Sequence, residues 1–287
     1  MKTVATHNGS FHADEVFAIA ILKLIYPKIK IIRTRDSKQY SKADILVDIG
    51  LKYDPKKNYF DHHQKQGAGK RKNKVPYSSA GLIWKHFAHK ITKEREIFER
   101  IDSRIIQSVD VEDNGIQITC PVGNFTPYTI NAVIATFRLS TKNEKFDIPF
   151  NKAVNFAKEL LQREISYLKQ AIKEREIVEK LIKKSSNKEY LVLPKKYSWQ
   201  IAADNHQKLK FVIYPYSKDM WAAKAVTKKG SIFENKKLFP AKWAGLKKEE
   251  LEKETNVSGA EFCHNKRFVI FAKSKKAIIE LVNLSLK

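Results

Sequence analysis

The sequence predicts an α/β domain with a mostly parallel sheet, followed by a smaller α+β domain. Three observations point there. Short apolar runs alternate with helical patterns through the first half, as in a sheet built from strand–helix–strand units. A stretch without Gly or Pro, Asn151 to Lys184, then runs at helical spacing for longer than an ordinary globular helix. Beyond it, strand-like pieces gather and the chain closes on a helical pattern. A length of 287 residues suits one large or two smaller domains. The expected division is 1–150, a connection of one long helix or two over 151–186, and 187–287.

The elements follow in order. Residues 2–6 (KTVAT) form a short strand, and the turn-like HNGSFHA leads into a helix over Asp14–Tyr26, stopped by Pro27. Asp14 and Glu15 in its first turn suit the positive end of the helix dipole. Ile29–Thr34, Ile45–Ile49 and the short Asn58–Asp61 are further strands. Ser78–His89 is a serine-capped helix, and Ile91–Val109 is amphipathic and helical. In the last part, strands are expected at Tyr190–Leu193, Lys210–Tyr214, Trp221–Val226 and Phe268–Ala272, with a helix at Lys275–Leu286. Trp199, Trp221 and Trp243 read as core residues rather than base-stacking platforms. The chain shows no internal repeat.

Composition narrows the function. Hydrophobic residues make up 43% and aromatics 11%, enough for a core and too much for a disordered chain. No apolar run approaches the ~20 residues of a membrane span, so no membrane partner is expected. The first residues lack the apolar segment of a signal peptide and the Arg/Ser-rich character of a transit peptide, so a cytoplasmic setting is expected. Two distant cysteines, Cys120 and Cys263, support neither a disulfide scaffold nor a cysteine zinc site. The net charge is +24, from 55 Lys and Arg against 31 Asp and Glu. It is either the footprint of a polyanion ligand such as nucleic acid or the bias of a Lys-rich proteome. The run Lys65–Lys74 (KQGAGKRKNK) is basic, whereas Lys247–Glu254 mixes its charges and reads as a solvated helix face.

The chemistry concentrates at strand ends. His7, His12, Asp14 and Glu15 lie between the first strand and first helix; Asp48 interrupts an apolar strand just before Gly50; Asp61-His62-His63 ends another strand. Asp110, Glu112 and Asp113 follow a helical run. Each alone has an ordinary reading as a cap, a turn or a polar loop. Their joint occurrence does not, since four of the eight histidines fall in two short segments with Asp48 between them. Imidazole and carboxylate together suit Mn²⁺, Fe²⁺, Co²⁺ or Zn²⁺, and the inventory is large enough for one ion or two. Two ions about 3.5–4 Å apart clamp the attacking and leaving oxygens of a phosphoryl displacement and turn water into hydroxide.

Taken in order, THNGSFHADE, VDIG, FDHHQ and SSAG resemble the DHH phosphoesterase superfamily, and more closely its Myg branch, named after melanocyte proliferating gene. The resemblance continues at VDVEDNG and, more weakly, at FPAKWAGL and FCH, so it covers nearly the whole chain. It implies a DHH-type metal domain and a metal-dependent phosphodiesterase using a metal-bound hydroxide, in the Myg branch a 3′-to-5′ RNA exonuclease. Two divalent ions are implied, with Mn²⁺ first and Mg²⁺, Co²⁺ or Zn²⁺ as alternatives. Carried over residue by residue, His7, His12 and Asp14 match the first ligand motif, Asp48 the bridging aspartate and His62 a further ligand. His63 matches the histidine that contacts the scissile phosphate, and Asp61 orients a neighbouring histidine from behind. The last ligand is Asp110 or Asp113; the end of the helical run favours Asp110. The wider superfamily usually has aspartate where His12 stands.

Other features are open. Ser78 and Ser79 offer hydroxyls and helix N-terminal amides to a phosphate, or form a plain cap. Lys65, Lys70, Arg71, Lys72 and Lys74 guide an RNA backbone or form a solvated loop. His264, Lys266 and Arg267 are candidates for the far end of the substrate. The glycine-rich substrate motif of many superfamily members has no clear equivalent here. Two rival functions remain: a phosphoesterase for short oligonucleotides or another small phosphorylated substrate, and a non-catalytic RNA-binding protein. Peptide hydrolysis has neither a nucleophile nor a zincin motif to support it. Oligomeric state is not legible.

Overall fold

The computed structural model describes residues 1–117, 125–138, 146–231 and 233–287; Cys120 lies outside the described residues. They divide into two compact units, Met1–Ser166 and Tyr167–Lys287. Among the described residues each unit carries a five-stranded sheet. No helix among them is long and apolar enough to cross a membrane.

The first unit opens with β1 (Lys2–Thr6), α1 (Ala13–Ile25), β2 (Ile29–Arg33), α2 (Ser37–Tyr40) and β3 (Ile45–Val47). The short β4 (Tyr53–Asp54) and β5 (Tyr59–Phe60) complete a sheet of order β2-β1-β3-β5-β4. The pairs β1–β2, β1–β3 and β3–β5 are parallel, and only β4 runs antiparallel at the edge. The sequence pattern misses β4, because two residues carry no periodicity. Ala13 through Leu22 of α1 are all buried. A helix apolar on every side belongs in the core, and α1 packs there against α3 (Ser79–Phe87).

Helix structure resumes at α4 (Arg95–Ile101), later than the expected start at Ile91. Thr92 Oγ1 accepts the Glu94 N–H at 3.1 Å, a local bond that competes with helix. A π-helical turn, Asp102–Ile106, then joins α4 to α5 (Gln107–Asp113). The short α6 (Ile130–Ala135) was not read from the sequence.

The stretch expected as one helix or two is a single helix, α7 (Asp147–Lys184). Its first half buries Phe150, Ala153, Val154, Ala157 and Leu161 at helical spacing. The division between the units falls within this helix, after Ser166.

In the second unit, β6 (Tyr190–Val192), the short α8 (Gln200–Ala203), β7 (Phe211–Ser217), β8 (Met220–Ala225), α9 (Lys248–Thr255), β9 (Ala260–Cys263), β10 (Val269–Ala272) and α10 (Lys275–Leu286) follow. The order β6-β7-β8-β10-β9 is antiparallel except for β6 on β7. Strand alternation splits β7 between two cores. Phe211 and Ile213 pack with Leu251, Ile278 and Leu281. Val212 and Tyr214 pack with Val178 and Ile182 from the last turns of α7. Trp199 and Trp243 are buried and Trp221 half-buried, as core residues. Cys263 is a buried free thiol, and burial pushes its pKa up to about 11.

Trp84 on α3 is fully buried, stacked on Phe98 with its Nε1–H donated to the Phe98 carbonyl at 3.2 Å. Trp84→Ala is expected to lower the unfolding free energy by about 3–5 kcal/mol in chemical denaturation. A loss below about 1 kcal/mol would contradict this packing.

Candidate functional site

Strand register builds the site. Ala5 pairs with Leu46, Leu46 with Tyr59 and Val47 with Phe60, all parallel. Thr6, Val47 and Phe60 therefore end at one edge, and the residues that follow them emerge together: His7, Asp48 and Asp61. Carboxyl ends of parallel strands are where open α/β sheets gather functional groups. Asp48 turns there with φ +55°, a left-handed backbone that aspartate tolerates better than most residues. Its N–H donates to the Phe60 carbonyl at 3.1 Å, which fixes the turn.

The cluster is closely spaced. His7 Nε2 lies 2.9 Å from Glu15 Oε1 and 3.3 Å from Asp48 Oδ2. Asp48 Oδ1 faces the other way, 3.6 Å from His62 Nε2 and 3.3 Å from His63 Nδ1. His62 Nε2 also lies 2.9 Å from Asp113 Oδ2 and 3.8 Å from Asp14 Oδ2. Four overlapping groups each bring one ligand atom per residue within 4.8 Å of the others: His7-His12-Glu15, Asp14-Glu15-Asp48, His12-Asp14-Asp113 and Asp48-His62-His63. His12 caps α1, and its backbone N–H donates to the Glu15 carboxylate at 2.9 Å.

Among the described buried polar atoms without a hydrogen-bond partner are both carboxylate oxygens of Asp14 and Nε2 of His62, the last facing Asp113 Oδ2 at 2.9 Å only as an ion pair. A buried polar group left unpaired is costly. Burial first, then the charges of Asp48, Asp113 and Glu15, push the Asp14 carboxyl well above its usual range. This is the pattern of ligands held for a cation, and the donor set of imidazole and carboxylate fits a divalent transition metal.

The imidazoles carry compensating charge. Burial opposes protonation of His7, but hydrogen bonds to Asp48 and Glu15 prevail and raise its pKa to about 10. Its Nδ1 sits 3.0 Å from the Asn8 carbonyl, which can only accept, so Nδ1 carries a proton and Nε2 faces the cluster. Hydrogen bonds to Asp48 and Asp61 raise His63 to about 10 against burial. Asp48 is held well below the usual carboxylate range: burial opposes this, and His63 and His7 outweigh it. Asp61 accepts from His63 Nδ1 and from its backbone N–H, both at 2.9 Å, and from Leu51 N–H at 2.7 Å.

Asp113, not Asp110, is the acidic residue of α5 that reaches the cluster. Asp110 lies one turn earlier and is wholly buried elsewhere. It accepts from Ser78 Oγ at 2.5 Å and Gly81 N–H at 2.9 Å, and Arg71 Nη1 lies 2.7 Å from it. Burial pushes its pKa up to about 6 against the pull of Arg71 and Ser78. Ser79 donates to Asp48 at 3.0 Å. Both serine hydroxyls, read from sequence as groups for a phosphate or a cap, are thus engaged by carboxylates.

Arg71 also departs from the solvated loop: its side chain is 8% exposed and pairs with Asp102 at 2.6 Å. Lys65, Lys70, Lys72 and Lys74 remain exposed on that loop. His264 and Arg267 belong to the second unit, where His264 Nδ1 accepts the Lys266 N–H and Arg267 donates to the Phe239 carbonyl. Glu15 was read only as a cap or cluster member. Its position one helical residue past Asp14 hides that it is fully buried against His7.

The Asp110 network tests itself at Gly81. A Cβ there would overlap the Asp110 carboxylate and come within 2.9 Å of Arg71 Nη2. Gly81→Ala is therefore expected to destabilise the protein by about 1–3 kcal/mol in chemical denaturation. An unchanged midpoint would show that the network is not held this tightly.

Comparison with known proteins agrees in one direction. A family model labelled MYG1 exonuclease, with the description "Uncharacterised protein family (UPF0160)", matches residues 3–286. A "MYG1 protein" of Chlamydia muridarum is 31% identical over 296 residues, covering 100% of this chain and 97% of that one. A "MYG1 protein" of Saccharomyces cerevisiae is 30% identical, covering 99% and 96%. A human protein named "MYG1 exonuclease" is 27% identical, covering 99% of this chain and 85% of its own. No solved structure matches. A match over nearly its whole length, with relatives of this identity alongside, makes the chain a member of the MYG1 exonuclease family.

Proposed function

We propose that this protein is a metal-dependent phosphodiesterase of the DHH superfamily that shortens RNA from its 3′ end. The observation that carries the reading is the buried cluster, with both oxygens of Asp14 lacking a hydrogen-bond partner, in a family whose named members include exonucleases.

His7, His12, Asp14, Asp48, His62 and Asp113 would hold two divalent ions, with Mn²⁺ proposed. When bound, such ions polarise a phosphate and acidify water. Asp48 suits the shared position, because its two oxygens face His7 on one side and His62 on the other. Glu15 holds His7 from the side and closes the first turn of α1 onto His12. Asp61 orients His63 through Nδ1, leaving Nε2–H of a half-exposed, protonated ring for a phosphate oxygen. His264 and Arg267 of the second unit are proposed as RNA contacts in their own right.

The test is a time course on 5′-labelled single-stranded RNA with Mn²⁺, with Mg²⁺ and with chelator. A metal-dependent ladder descending from the 3′ end is expected; uncut RNA in every metal would overturn the reading. Asp48→Ala should abolish turnover with the fold intact. Asp61→Asn, which weakens the bonds that orient His63 and anchor the Leu51 backbone, should lower kcat/KM by about 10–100-fold.

Metal binding is also readable without turnover. Mn²⁺ at a hundredfold excess over its Kd is expected to stabilise the protein by about 2.7 kcal/mol in thermal unfolding. Asp14→Asn should unfold at no lower temperature when metal-free and lose most of that gain. A full Mn²⁺ shift in this variant would remove Asp14 from the ligand set.

A further inference from the structure

A cleft of about 750 Å³ opens directly onto the cluster, with His7, His12, Asp48, Asp61 and His63 in its lining. Arg35, Tyr40, Ile49 and Leu51 line it as well and serve none of the roles assigned above. Arg35 lines it, exposed, with no hydrogen bond, ion pair or ring contact to a described residue. The contrast with Arg33, two residues earlier, is instructive. Arg33 donates to Asp147 at 3.0 Å and to the Gly9 carbonyl at 2.7 Å, and stacks over Phe150 at 4.5 Å. One arginine is a fixed part of the fold, and the next is a free fork at the mouth of the site.

Part of the lining is apolar. Tyr40 and Ile49 line it, packed on the same small core under the sheet edge. Leu51 stands out from it with 69% of its surface exposed. Leucine is a poor choice for exposure and a poor choice for its backbone, which is left-handed at φ +52°. It is held there because its N–H donates to Asp61, the residue that orients His63. Strain that keeps an apolar side chain at the mouth of a polar site asks for an apolar ligand surface.

The cleft therefore presents three chemistries: a cluster for one phosphate, a free guanidinium, and an apolar lining. A guanidinium forks onto phosphate through paired hydrogen bonds. Bases offer flat apolar faces that stack in single-stranded nucleic acid sites. Resting on the phosphodiesterase reading above, we propose that this cleft seats the nucleotide next to the scissile phosphate, with Arg35 gripping the neighbouring phosphate and the base against Leu51 and Tyr40. The preferred substrate is then a nucleic-acid strand that carries a second phosphate and a base beside the scissile one, not a simple phosphate ester, because the second phosphate position and the apolar lining both need filling.

Two variants test this with little risk to the fold. Arg35→Ala removes an unpartnered exposed side chain. Leu51→Gly removes the apolar surface at a backbone position that glycine prefers. Kinetics and fluorescence anisotropy with a labelled single-stranded RNA in Mn²⁺ are the readouts. Arg35→Ala should raise Kd and KM about 10–100-fold. It should also reduce the slope of log affinity against log salt by about 0.7, one phosphate contact on a single strand. Leu51→Gly should raise both about 3–10-fold and leave the salt slope unchanged. Lys38→Ala, the loss of an equal charge from nearby α2, should change neither.

Unchanged Kd and KM in both variants would overturn the cleft assignment while wild-type cleavage of RNA leaves the phosphodiesterase reading standing. RNA binding that both variants weaken, without metal-dependent cleavage by the wild type, would support the cleft and remove the activity. Wild-type hydrolysis of bis(p-nitrophenyl) phosphate without binding or cleavage of RNA would overturn the polynucleotide assignment and keep a phosphodiesterase for small substrates.

Discussion

Crowded negative charge, taken out of water at one edge of a parallel sheet, is the constraint on which the first unit depends. Asp14, Glu15, Asp48 and Asp113 stand within overlapping groups of less than 5 Å, almost all of them buried. Carboxylates at such separations repel, and burial sharpens the repulsion. The fold answers with imidazoles. His7 and His63 stand on either side of Asp48 and take up the protons that make the cluster tolerable. Asp14 has no such partner, so its oxygens are the place where a cation would relieve most. Cation binding would displace the proton from His7, which ties occupancy to folding and to acidity at once.

Supporting structure is arranged around that constraint. Helix α1 is buried on every side, which fixes Asp14 and Glu15 without freedom to swing toward water. The left-handed turn at Asp48 and the bond from Ser79 aim a carboxylate where relaxed strand backbone would not. Beneath the cluster, Arg71 pairs with Asp102 and Asp110, and Asp110 holds the first turn of α3 through Ser78 and Gly81. Because Ser79 starts that helix and Asp113 ends α5, this buried network locks the two elements that deliver a bond to Asp48 and a carboxylate to His62. Buried ion pairs of this kind are weak sources of stability but strict about geometry.

Most of the architecture was legible because it rests on local signals. Strands at 2–6, 29–33 and 45–47 are apolar runs between turns, and α1, α3 and α10 show helical spacing, although Ser78 at the start of α3 donates to Asp110 instead of capping the helix. The failures are instructive in the same terms. The two-residue β4 has no periodicity to detect. The run expected as continuous from Ile91 starts late and passes through a π-helical turn, which changes which face each later residue presents. Asp110 and Asp113 both follow that turn, three residues apart in a helix and therefore plausible on the same face, yet one pairs with Arg71 and the other reaches His62.

What the sequence determined by itself is the inventory and its location: imidazoles and carboxylates at the ends of three parallel strands, in a chain too apolar to be disordered and too basic to ignore polyanions. These follow from residue identity and short-range periodicity. The tertiary structure alone decided which groups meet. Glu15 partners His7 because α1 is buried; the Arg71 side chain turns in from the basic loop to pair with Asp102 and Asp110; Arg33 is taken by Asp147 and Gly9, whereas Arg35 has no partner among the described residues. Each outcome depends on distances between residues far apart in the chain, and Coulomb and desolvation energies act on those distances, not on sequence neighbours.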